Sequence, residues 1–314
     1  MEIQRVTVIG GGLIGASWAA LFLAHGLSVT VQDIDKAAEA RVLAQLAAAW
    51  PDLQALGLAR TTLEAAQAAL RVTPDMQAAL QGVQFVQECG PDRLPVKREI
   101  IAGIEAHVTA NVIIASSSSA LMASEMQQGA AHPGRILVGH PFNPPHLVPL
   151  VELVPGRHTE AETVTTARAF YEGLGREIVV PLRESRGHVA NRLTAALYRE
   201  AVHLVAEGIA TVEDVDRAVS AGPGLRWALM GPHLTYHMGG GEGGLRHYLE
   251  HLGPAQERRW ADLGTPRLDA ATVDALVSGL DAALARMDET TLARRRDAAL
   301  VALVLARRDQ GFGA

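Results

Sequence analysis

The sequence has one cysteine, no long apolar run and no excess of basic residues. Cys89 alone cannot form an intramolecular disulfide, which is typical of proteins from a reducing compartment. The formal net charge of −6 argues against nucleic acid as the main partner, because phosphate binding needs a concentrated basic surface. No apolar run reaches the ~18 residues of a membrane span, and MEIQRVTVIG lacks the features of a signal peptide. These absences predict a cytoplasmic protein with no membrane or nucleic-acid partner, and no metal site is predicted.

Apolar runs of strand length recur in the first half of the sequence, between stretches with helical periodicity. This alternation is typical of a parallel sheet covered by helices. The predicted strands are Val6–Gly10, Ser28–Gln32, Val83–Gln87, Val112–Ser116, Ile136–His140 and Glu177–Val180. The predicted helices between them are Gly12–His25, Lys36–Trp50, Leu63–Leu70, Lys97–His107 and Glu160–Leu174.

The strand pattern ends near residue 183, and the remainder has helical periodicity. A glycine-rich loop is expected at Gly239–Gly244. The helices predicted in this part are Val189–Glu207, Val212–Ser220, Ala271–Met287 and Leu292–Arg308. We therefore expect a domain of residues 1–185 that contains the sheet and a helical domain of residues 186–314.

A glycine-rich segment, Gly10-Gly11-Gly12-Leu13-Ile14-Gly15, follows the first predicted strand and opens the first predicted helix. This order is the one that a dinucleotide pyrophosphate site requires. Gly10 permits the tight turn, Gly12 lets the backbone approach the phosphates, and Gly15 allows close packing of helix on strand. The helix N-terminus, with Leu13 and Ile14, offers N–H groups to the anion. The pattern predicts a Rossmann-type, doubly wound, mostly parallel sheet.

An acidic residue, Asp33, ends the second predicted strand, 18 residues after Gly15. A carboxylate there accepts hydrogen bonds from the ribose hydroxyls and repels a 2′-phosphate. No arginine is expected beside it, and Ile34 and Asp35 follow. NAD is therefore the predicted cofactor rather than NADP. The alternatives are a helix-capping role for Asp33, or FAD in the same site.

Two polar residues, His140 and Glu152, stand out at apolar strands. His140 ends Ile136–Gly139 and precedes a proline-framed turn, while Glu152 is alone inside the apolar strand Leu150–Val154. Oxidation of a secondary alcohol needs a base for the hydroxyl proton, and histidine titrates near neutral pH. A buried carboxylate needs a partner, which an imidazolium could provide. From composition alone, an ordinary histidine and a solvated glutamate are equally good interpretations.

The sequence resembles the 3-hydroxyacyl-CoA dehydrogenase superfamily, and within it the branch of carnitine 3-dehydrogenase, L-gulonate 3-dehydrogenase and lambda-crystallin. The resemblance runs from Val6 to about Gly253. The motifs that carry it are Ala115–Ser119, His140-Pro141-Phe142-Asn143-Pro144, Leu150–Val154 and Asn191-Arg192-Leu193.

The resemblance implies that His140 is the catalytic base and Glu152 its partner. It implies that Ser119 hydrogen-bonds the substrate oxygen and that Asn191, from the second domain, orients the same atom. Further residues implied near the nicotinamide are Glu88 and Lys97. The helical domain resembles a dimerisation module, so a homodimer is expected.

Three residues are candidates for substrate binding. Arg226 could bind a carboxylate through its guanidinium, and Trp227 and Phe142 could offer aromatic faces to a trimethylammonium group. A structural role for Trp227 is an open alternative. Ser117-Ser118 replaces the Asn-Thr that is usual in the acyl-CoA enzymes, and Pro144-Pro145 is unusual there, which argues against a CoA thioester.

Three functions therefore remain. The first is NAD-dependent oxidation of a free 3-hydroxy acid such as carnitine or gulonate. The second is an L-3-hydroxyacyl-CoA dehydrogenase of fatty-acid degradation. The third is a non-catalytic, crystallin-like NAD-binding protein. We expect the first.

Overall fold

The computed structural model describes residues 3–285 and 288–313. Within them the chain forms two compact units: unit 1 extends to Arg192, and unit 2 runs from Leu193 to Gly313. The boundary expected at residue 185 stays a prediction.

Unit 1 is built on one eight-stranded sheet in the order β3-β2-β1-β4-β5-β6-β7-β8. Neighbouring strands are parallel except β6 and β7, which are antiparallel. The strands are β1 (Arg5–Ile9), β2 (Ser28–Gln32), β3 (Leu70–Thr73), β4 (Phe85–Glu88), β5 (Ile113–Ser116), β6 (Ile136–Pro141), β7 (Leu150–Pro155) and β8 (Glu177–Val179). The predicted Rossmann-type sheet is confirmed. The order changes direction at β1 and β4, which is where ligands bind in open α/β sheets.

The predicted strands did not include β3. The sequence predicts Leu70 as the last residue of a helix. In the structure that helix ends at Ala68, and Leu70–Thr73 pairs with β2. None of the four residues of β3 is fully buried. A short edge strand has no continuous apolar run, so the sequence pattern does not distinguish it from a helix end.

Helices cover both faces of the sheet, as the crossover connections between parallel strands require. They are α1 (Leu13–Ala24), α2 (Ala38–Ala55), α3 (Leu63–Ala68), α4 (Met76–Ala79), α5 (Leu94–Glu105), α6 (Ala123–Met126) and α7 (Ala161–Gly173). Helix α1 is apolar on all sides and buried from Gly15 to Ala24. Trp18 in α1 stacks on Phe22, and both are fully buried. Burial of each such side chain contributes about 1.5–3 kcal/mol, so this packing holds the glycine turn rigidly against the sheet.

A second set of buried side chains packs together on the central strands. Its strand residues come from five strands that are neighbours in the sheet: Ile9, Val86, Ile114, Ile136, Val138 and Val154. The residues that follow these strands are therefore presented from a rigid base.

The regular secondary structure in the described part of unit 2 consists of helices, with no strands. After α8 (Ala190–Ala206), which begins in unit 1, its helices are α9 (Val212–Ala221), α10 (Pro223–Trp227), α11 (Pro232–Gly239), α12 (Gly244–Asp262), α13 (Ala270–Leu284) and α14 (Glu289–Asp309). The predicted helical character is confirmed, although positions 286 and 287 of one predicted helix lie outside the described residues. No helix in residues 3–285 and 288–313 is long and apolar enough to cross a membrane.

Three helices of unit 2, α10, α11 and α12, were not predicted. The 19-residue helix α12 is mostly polar and contains Pro254, which is unfavourable inside a helix. The predicted loop Gly239–Gly244 is the short connection between α11 and α12, and Gly241–Gly243 forms a 3₁₀ turn there.

Candidate active site

His140 and Glu152 meet because of strand register. The antiparallel pairing of β6 with β7 places them directly opposite each other, so their side chains share one face of the sheet. His140 Nδ1 lies 3.0 Å from Glu152 Oε2. Both side chains are buried. The structure thus brings these two predicted residues into contact.

Glu152 is held in its charged form. Burial raises the pKa of its carboxyl group, but the hydrogen bonds from His140, Ala190 and Val189 outweigh burial and leave the pKa below its usual range. The backbone N–H groups of Val189 and Ala190 both donate to Oε1, at 2.8 and 3.0 Å. Because the carboxylate can only accept, His140 Nδ1 is the donor. Nε2 is then the basic nitrogen of the neutral ring.

A cavity of about 470 Å³ lies at the carboxyl ends of β4, β5 and β6. It is lined by Ile14, Cys89, Gly90, Asp92, Lys97, Ser117, Ser118, Ser119, His140, Pro141, Phe142, Asn143 and Asn191. The predicted catalytic residues Ser119, His140 and Asn191 all line it. Phe142 contacts the His140 ring edge to face, with centroids 5.1 Å apart. The volume suits a small-molecule site.

A larger cavity of about 840 Å³ lies at the opposite ends of these strands, near Gln84, Asn111 and Arg135. Ligands of open α/β sheets bind beyond the carboxyl ends of the strands. The smaller cavity, which contains the imidazole, is therefore the candidate active site.

The serine run is anchored by an acid that the sequence analysis missed. Asp92 accepts hydrogen bonds from the hydroxyl groups of both Ser118 and Ser119. It also accepts one from the Ser119 backbone N–H, at 3.3 Å. Asp92 follows β4 by four residues, in Cys89-Gly90-Pro91-Asp92. An acid just beyond a buried strand was the signal that could have identified it.

Asn191, which lines the cavity, and the buried His188 both contact the backbone of the serine run. The Asn191 side-chain amide donates to the Ser119 carbonyl oxygen at 3.3 Å. His188 is buried, with Nε2 3.1 Å from the Ser118 carbonyl oxygen and its ring 5.3 Å from that of His140. Its φ of 52° is rare for a residue with a side chain. Since this backbone conformation precedes the two N–H groups that bind Glu152, His188 is a positioning residue that sequence reasoning overlooked.

A buried polar network lies beneath the cavity. Tyr171 donates to the side-chain oxygen of Gln87, whose amide nitrogen lies 2.8 Å from Ser117 Oγ. Ser117 also contacts the Cys89 thiol. Burial raises the pKa of Cys89 to about 12, so the thiol stays protonated and unreactive.

Glu88 and Lys97, expected near the nicotinamide, form a buried ion pair. The Lys97 ammonium group donates to both Glu88 carboxylate oxygens, at 3.0 and 2.8 Å. It also donates to the Gly90 carbonyl oxygen. Glu88 accepts further hydrogen bonds from the Ser116 hydroxyl and the Gly90 N–H. Lys97 lines the cavity, and its charge is matched by Glu88.

The glycine turn fits a dinucleotide. Gly10 has φ +93°, and a Cβ there would lie 2.8 Å from the Cys89 carbonyl oxygen. A Cβ at Gly15 would overlap the Gly10 carbonyl oxygen. At Gly12, the N-cap of α1, a Cβ would meet nothing within 4 Å, so the backbone has open space in front of the helix N-terminus. Leu13 is exposed there and Ile14 lines the cavity.

Asp33 lies beside the glycine turn, and its Oδ2 accepts from the Gly11 N–H at 2.7 Å. The expectation that no arginine lies beside it is wrong. Arg41, from the first turn of α2, places Nη2 3.6 Å from Asp33 Oδ2 and Nη1 2.8 Å from Asp35 Oδ2. The contact was missed because the seven residues between Asp33 and Arg41 turn back into the start of a helix, which brings Arg41 close to Asp33.

Two predicted substrate residues, Arg226 and Trp227, lie in unit 2 at the end of α10, and both are exposed. Their role stays a prediction. Tyr236, on α11, stacks on Tyr248 of α12 with centroids 4.7 Å apart.

A doubly wound sheet, a glycine turn with an acid beyond β2, and an imidazole–carboxylate pair beside a small cavity define an NAD-dependent oxidoreductase. The model of the 3-hydroxyacyl-CoA dehydrogenase NAD-binding domain matches residues 5–185, and that of the C-terminal domain matches residues 187–287. The chain belongs to the 3-hydroxyacyl-CoA dehydrogenase family, which confirms the resemblance seen in the sequence.

Similar proteins cover nearly the whole chain. An L-carnitine dehydrogenase of Streptomyces griseus is 45% identical over 97% of this chain and 90% of its own length. One of Pseudomonas aeruginosa is 42% identical over 98% and 95%. Among solved structures, an NAD⁺-dependent dismutase, 5-formyl-3-hydroxy-2-methylpyridine 4-carboxylic acid 5-dehydrogenase, superposes with a TM-score of 0.83 at 29% identity, over 98% of this chain and 99% of that one.

Proposed function

We propose that the protein oxidises the 3-hydroxyl group of a small free 3-hydroxy acid to the 3-oxo acid, and that L-carnitine is the first substrate to test. The His140–Glu152 pair at the cavity carries the chemical part of this proposal. The substrate class is supported by the relatives named L-carnitine dehydrogenase, which are 42–45% identical over nearly the whole chain.

His140 would act as the general base. Nδ1 is engaged by Glu152, so Nε2 would take the hydroxyl proton of the substrate. The ring becomes an imidazolium, which the Glu152 carboxylate stabilises. When bound, NAD supplies the acceptor for the hydride that leaves C3. The backbone at Gly12 and the N-terminus of α1 would hold its pyrophosphate, with Gly10 and Gly15 shaping the turn, and Asp33 would bind its adenosine ribose.

Ser119 and Asn191 would bind the reacting oxygen. Ser119 Oγ contacts Asp92 Oδ2 at 3.2 Å, and Asn191 Nδ2 donates to the Ser119 backbone. These contacts hold both polar groups at the wall of the cavity. Asn191 Nδ2 has a second N–H group for the reacting oxygen, and the Ser119 hydroxyl would turn from Asp92 to that oxygen when substrate binds. Donors aimed at an oxygen that gains negative charge stabilise the transition state more than the ground state.

The thioester alternative shares this chemistry and differs in the substrate. The acyl-CoA enzymes of the family set a precedent for it, whereas the serine pair Ser117-Ser118 departs from their usual pattern. A crystallin-like, non-catalytic role is disfavoured by the intact His140–Glu152 pair, since a buried, charged acid beside a histidine has no evident use in a binding protein.

A substrate panel tests the proposal. NADH formation would be followed by absorbance with L-carnitine, L-gulonate, L-3-hydroxybutyrate and 3-hydroxybutyryl-CoA. We expect a strong rate with one free acid, L-carnitine first, and none with the thioester. Activity on the thioester alone would contradict the proposal and place the protein with the fatty-acid enzymes.

We also propose a homodimer formed through unit 2. Many large apolar side chains of its described residues are exposed, including Leu197, Tyr198 and Trp260. A helical unit that exposes this many large apolar side chains is expected to bury them against a partner subunit. Sedimentation equilibrium should give twice the chain mass of 33.3 kDa, and a monomer at micromolar concentration would refute the proposal.

A further inference from the structure

We propose that Arg41 is a second determinant of dinucleotide choice, and that a binding site for the 2′-phosphate of NADP exists in this protein but is masked by Asp33. The inference concerns the cofactor alone, so it holds or fails independently of the proposed substrate.

The guanidinium of Arg41 is held in a defined place. Nε donates to the Gly11 carbonyl oxygen at 2.8 Å, within the glycine turn itself. Nη1 donates to Asp35 at 2.8 Å, while Nη2 lies 3.6 Å from Asp33. A side chain tied to the glycine turn and to the two acids is preorganised, so it need not lose much rotamer freedom on binding an anion.

Asp33 is also held from several sides. Gly11 N–H donates to Oδ2, and Asp35 N–H donates to Oδ1 at 2.9 Å. The Asp33 side chain is 16% exposed, whereas that of Arg41 is 38% exposed. Asp33 is therefore the better shielded of the two groups, and Arg41 retains surface that a ligand could contact.

The charges of this cluster explain a preference for NAD. Asp33 and Asp35 contribute two negative charges against the single positive charge of Arg41. The cluster has a net charge of −1, which repels a phosphate that itself carries a charge of about −1.5 to −2. A neutral residue at position 33 would bring the cluster to zero and release Nη2 from its carboxylate partner. A guanidinium fork matches the geometry of phosphate oxygens.

The test measures binding without any substrate. NADH and NADPH would be titrated into the protein and followed by nicotinamide fluorescence. Asp33→Ser should tighten NADPH binding by about 10- to 100-fold, the range of one or two charge-assisted hydrogen bonds. In Asp33→Ser/Arg41→Ala most of that gain should disappear. The matched control is Asp33→Ser/Lys36→Ala, which removes the other basic side chain near Asp33 in the sequence and should keep the gain.

Two outcomes would overturn the proposal: an equal gain with and without Arg41, or a gain that depends on Lys36 instead. An unchanged circular dichroism spectrum and thermal unfolding transition show that each variant is folded. If Asp33→Ser does not fold, Asp33→Asn is nearly isosteric and can still accept from Gly11, and the same comparison with and without Arg41 applies. Failure of the substrate panel would leave this result unchanged.

Discussion

Two of the buried carboxylate pairs in unit 1, Glu88–Lys97 and His140–Glu152, differ in how much of their hydrogen-bonding capacity is used. In the Glu88–Lys97 pair, both Glu88 oxygens accept from Lys97, and Ser116 and Gly90 donate as well. In the His140–Glu152 pair, Glu152 is likewise saturated by three donors. His140 uses only Nδ1 in this pair. Within the described residues, no hydrogen bond of Nε2 is found.

The difference indicates what each pair is for. A buried pair whose hydrogen-bonding capacity is fully used supports the fold and has little left to offer a ligand. A pair that keeps one basic atom at a cavity wall can exchange a proton with a ligand. We therefore expect variants of the first pair to lose stability and variants of the second to lose turnover.

The largest effect on the fold should come from Lys97→Met. Glu88 would remain as a buried charge without its partner, which costs about 3–5 kcal/mol. Urea unfolding at neutral pH measures this loss of stability. Adding Glu88→Gln to Lys97→Met should restore part of it, since the uncompensated charge is removed. Equal stability of wild type and Lys97→Met would show that the pair does not support the fold.

Glu152→Gln should mainly affect turnover. The amide cannot stabilise the imidazolium and can misplace the ring, and misplacement of a catalytic group costs about 100-fold. Steady-state NADH formation with the best substrate of the panel measures the loss. The matched control is Glu99→Gln, an exposed acid on α5. An equally large loss of turnover in Glu99→Gln would contradict the assignment of Glu152 as the partner of the catalytic base.

Asp92→Asn should have a smaller effect, about tenfold on kcat/KM, which corresponds to one lost charge-assisted hydrogen bond. Asparagine can accept from one serine hydroxyl through its single oxygen, so the other loses its anchor. We expect kcat to fall more than KM rises if the serines act on the transition state. Unchanged kinetics would show that the hydrogen bonds from Ser118 and Ser119 to Asp92 do not contribute to catalysis.

The smallest expected effect is a pH dependence of stability. The pKa of Glu152 is lower in the folded than in the unfolded chain, so its contribution is fully present above the ordinary carboxyl pKa. It is lost as the pH falls through the folded value. The difference in unfolding free energy between wild type and Glu152→Gln should therefore shrink as the pH is lowered from 5 to 3. A difference that grows as the pH falls would contradict a lowered pKa of Glu152 in the folded chain.

The sheet and most of its helices could be predicted because buried strands and amphipathic helices leave periodic patterns. His140 and Glu152 could be proposed as partners from their chemistry, but the contact itself follows from the register of β6 on β7. The sequence pattern does not contain that register. Polar helices such as α12 lack a strong periodic signal and were missed.

Arg41, Asp92 and His188 were missed for a shared reason. Each reaches the site by a turn of the chain: Arg41 by the start of α2, Asp92 by the loop after β4, and His188 by a backbone conformation with positive φ. Such contacts depend on loop geometry, which single-residue patterns do not encode. The glycine turn was predictable because its positive φ at Gly10 and its close backbone contact at Gly15 each require a glycine, and glycines can be read directly from the sequence.

The measurement that tests the central claim most directly is the turnover of His140→Gln on the best substrate, with NADH binding followed by fluorescence in the same preparation. Loss of the base should lower turnover by about two to four orders of magnitude, while NADH affinity stays within a few-fold of wild type. His132→Gln, at the opposite end of the sheet, is the matched control and should retain full activity. Comparable turnover in His140→Gln and wild type would contradict the account and remove His140 from the mechanism.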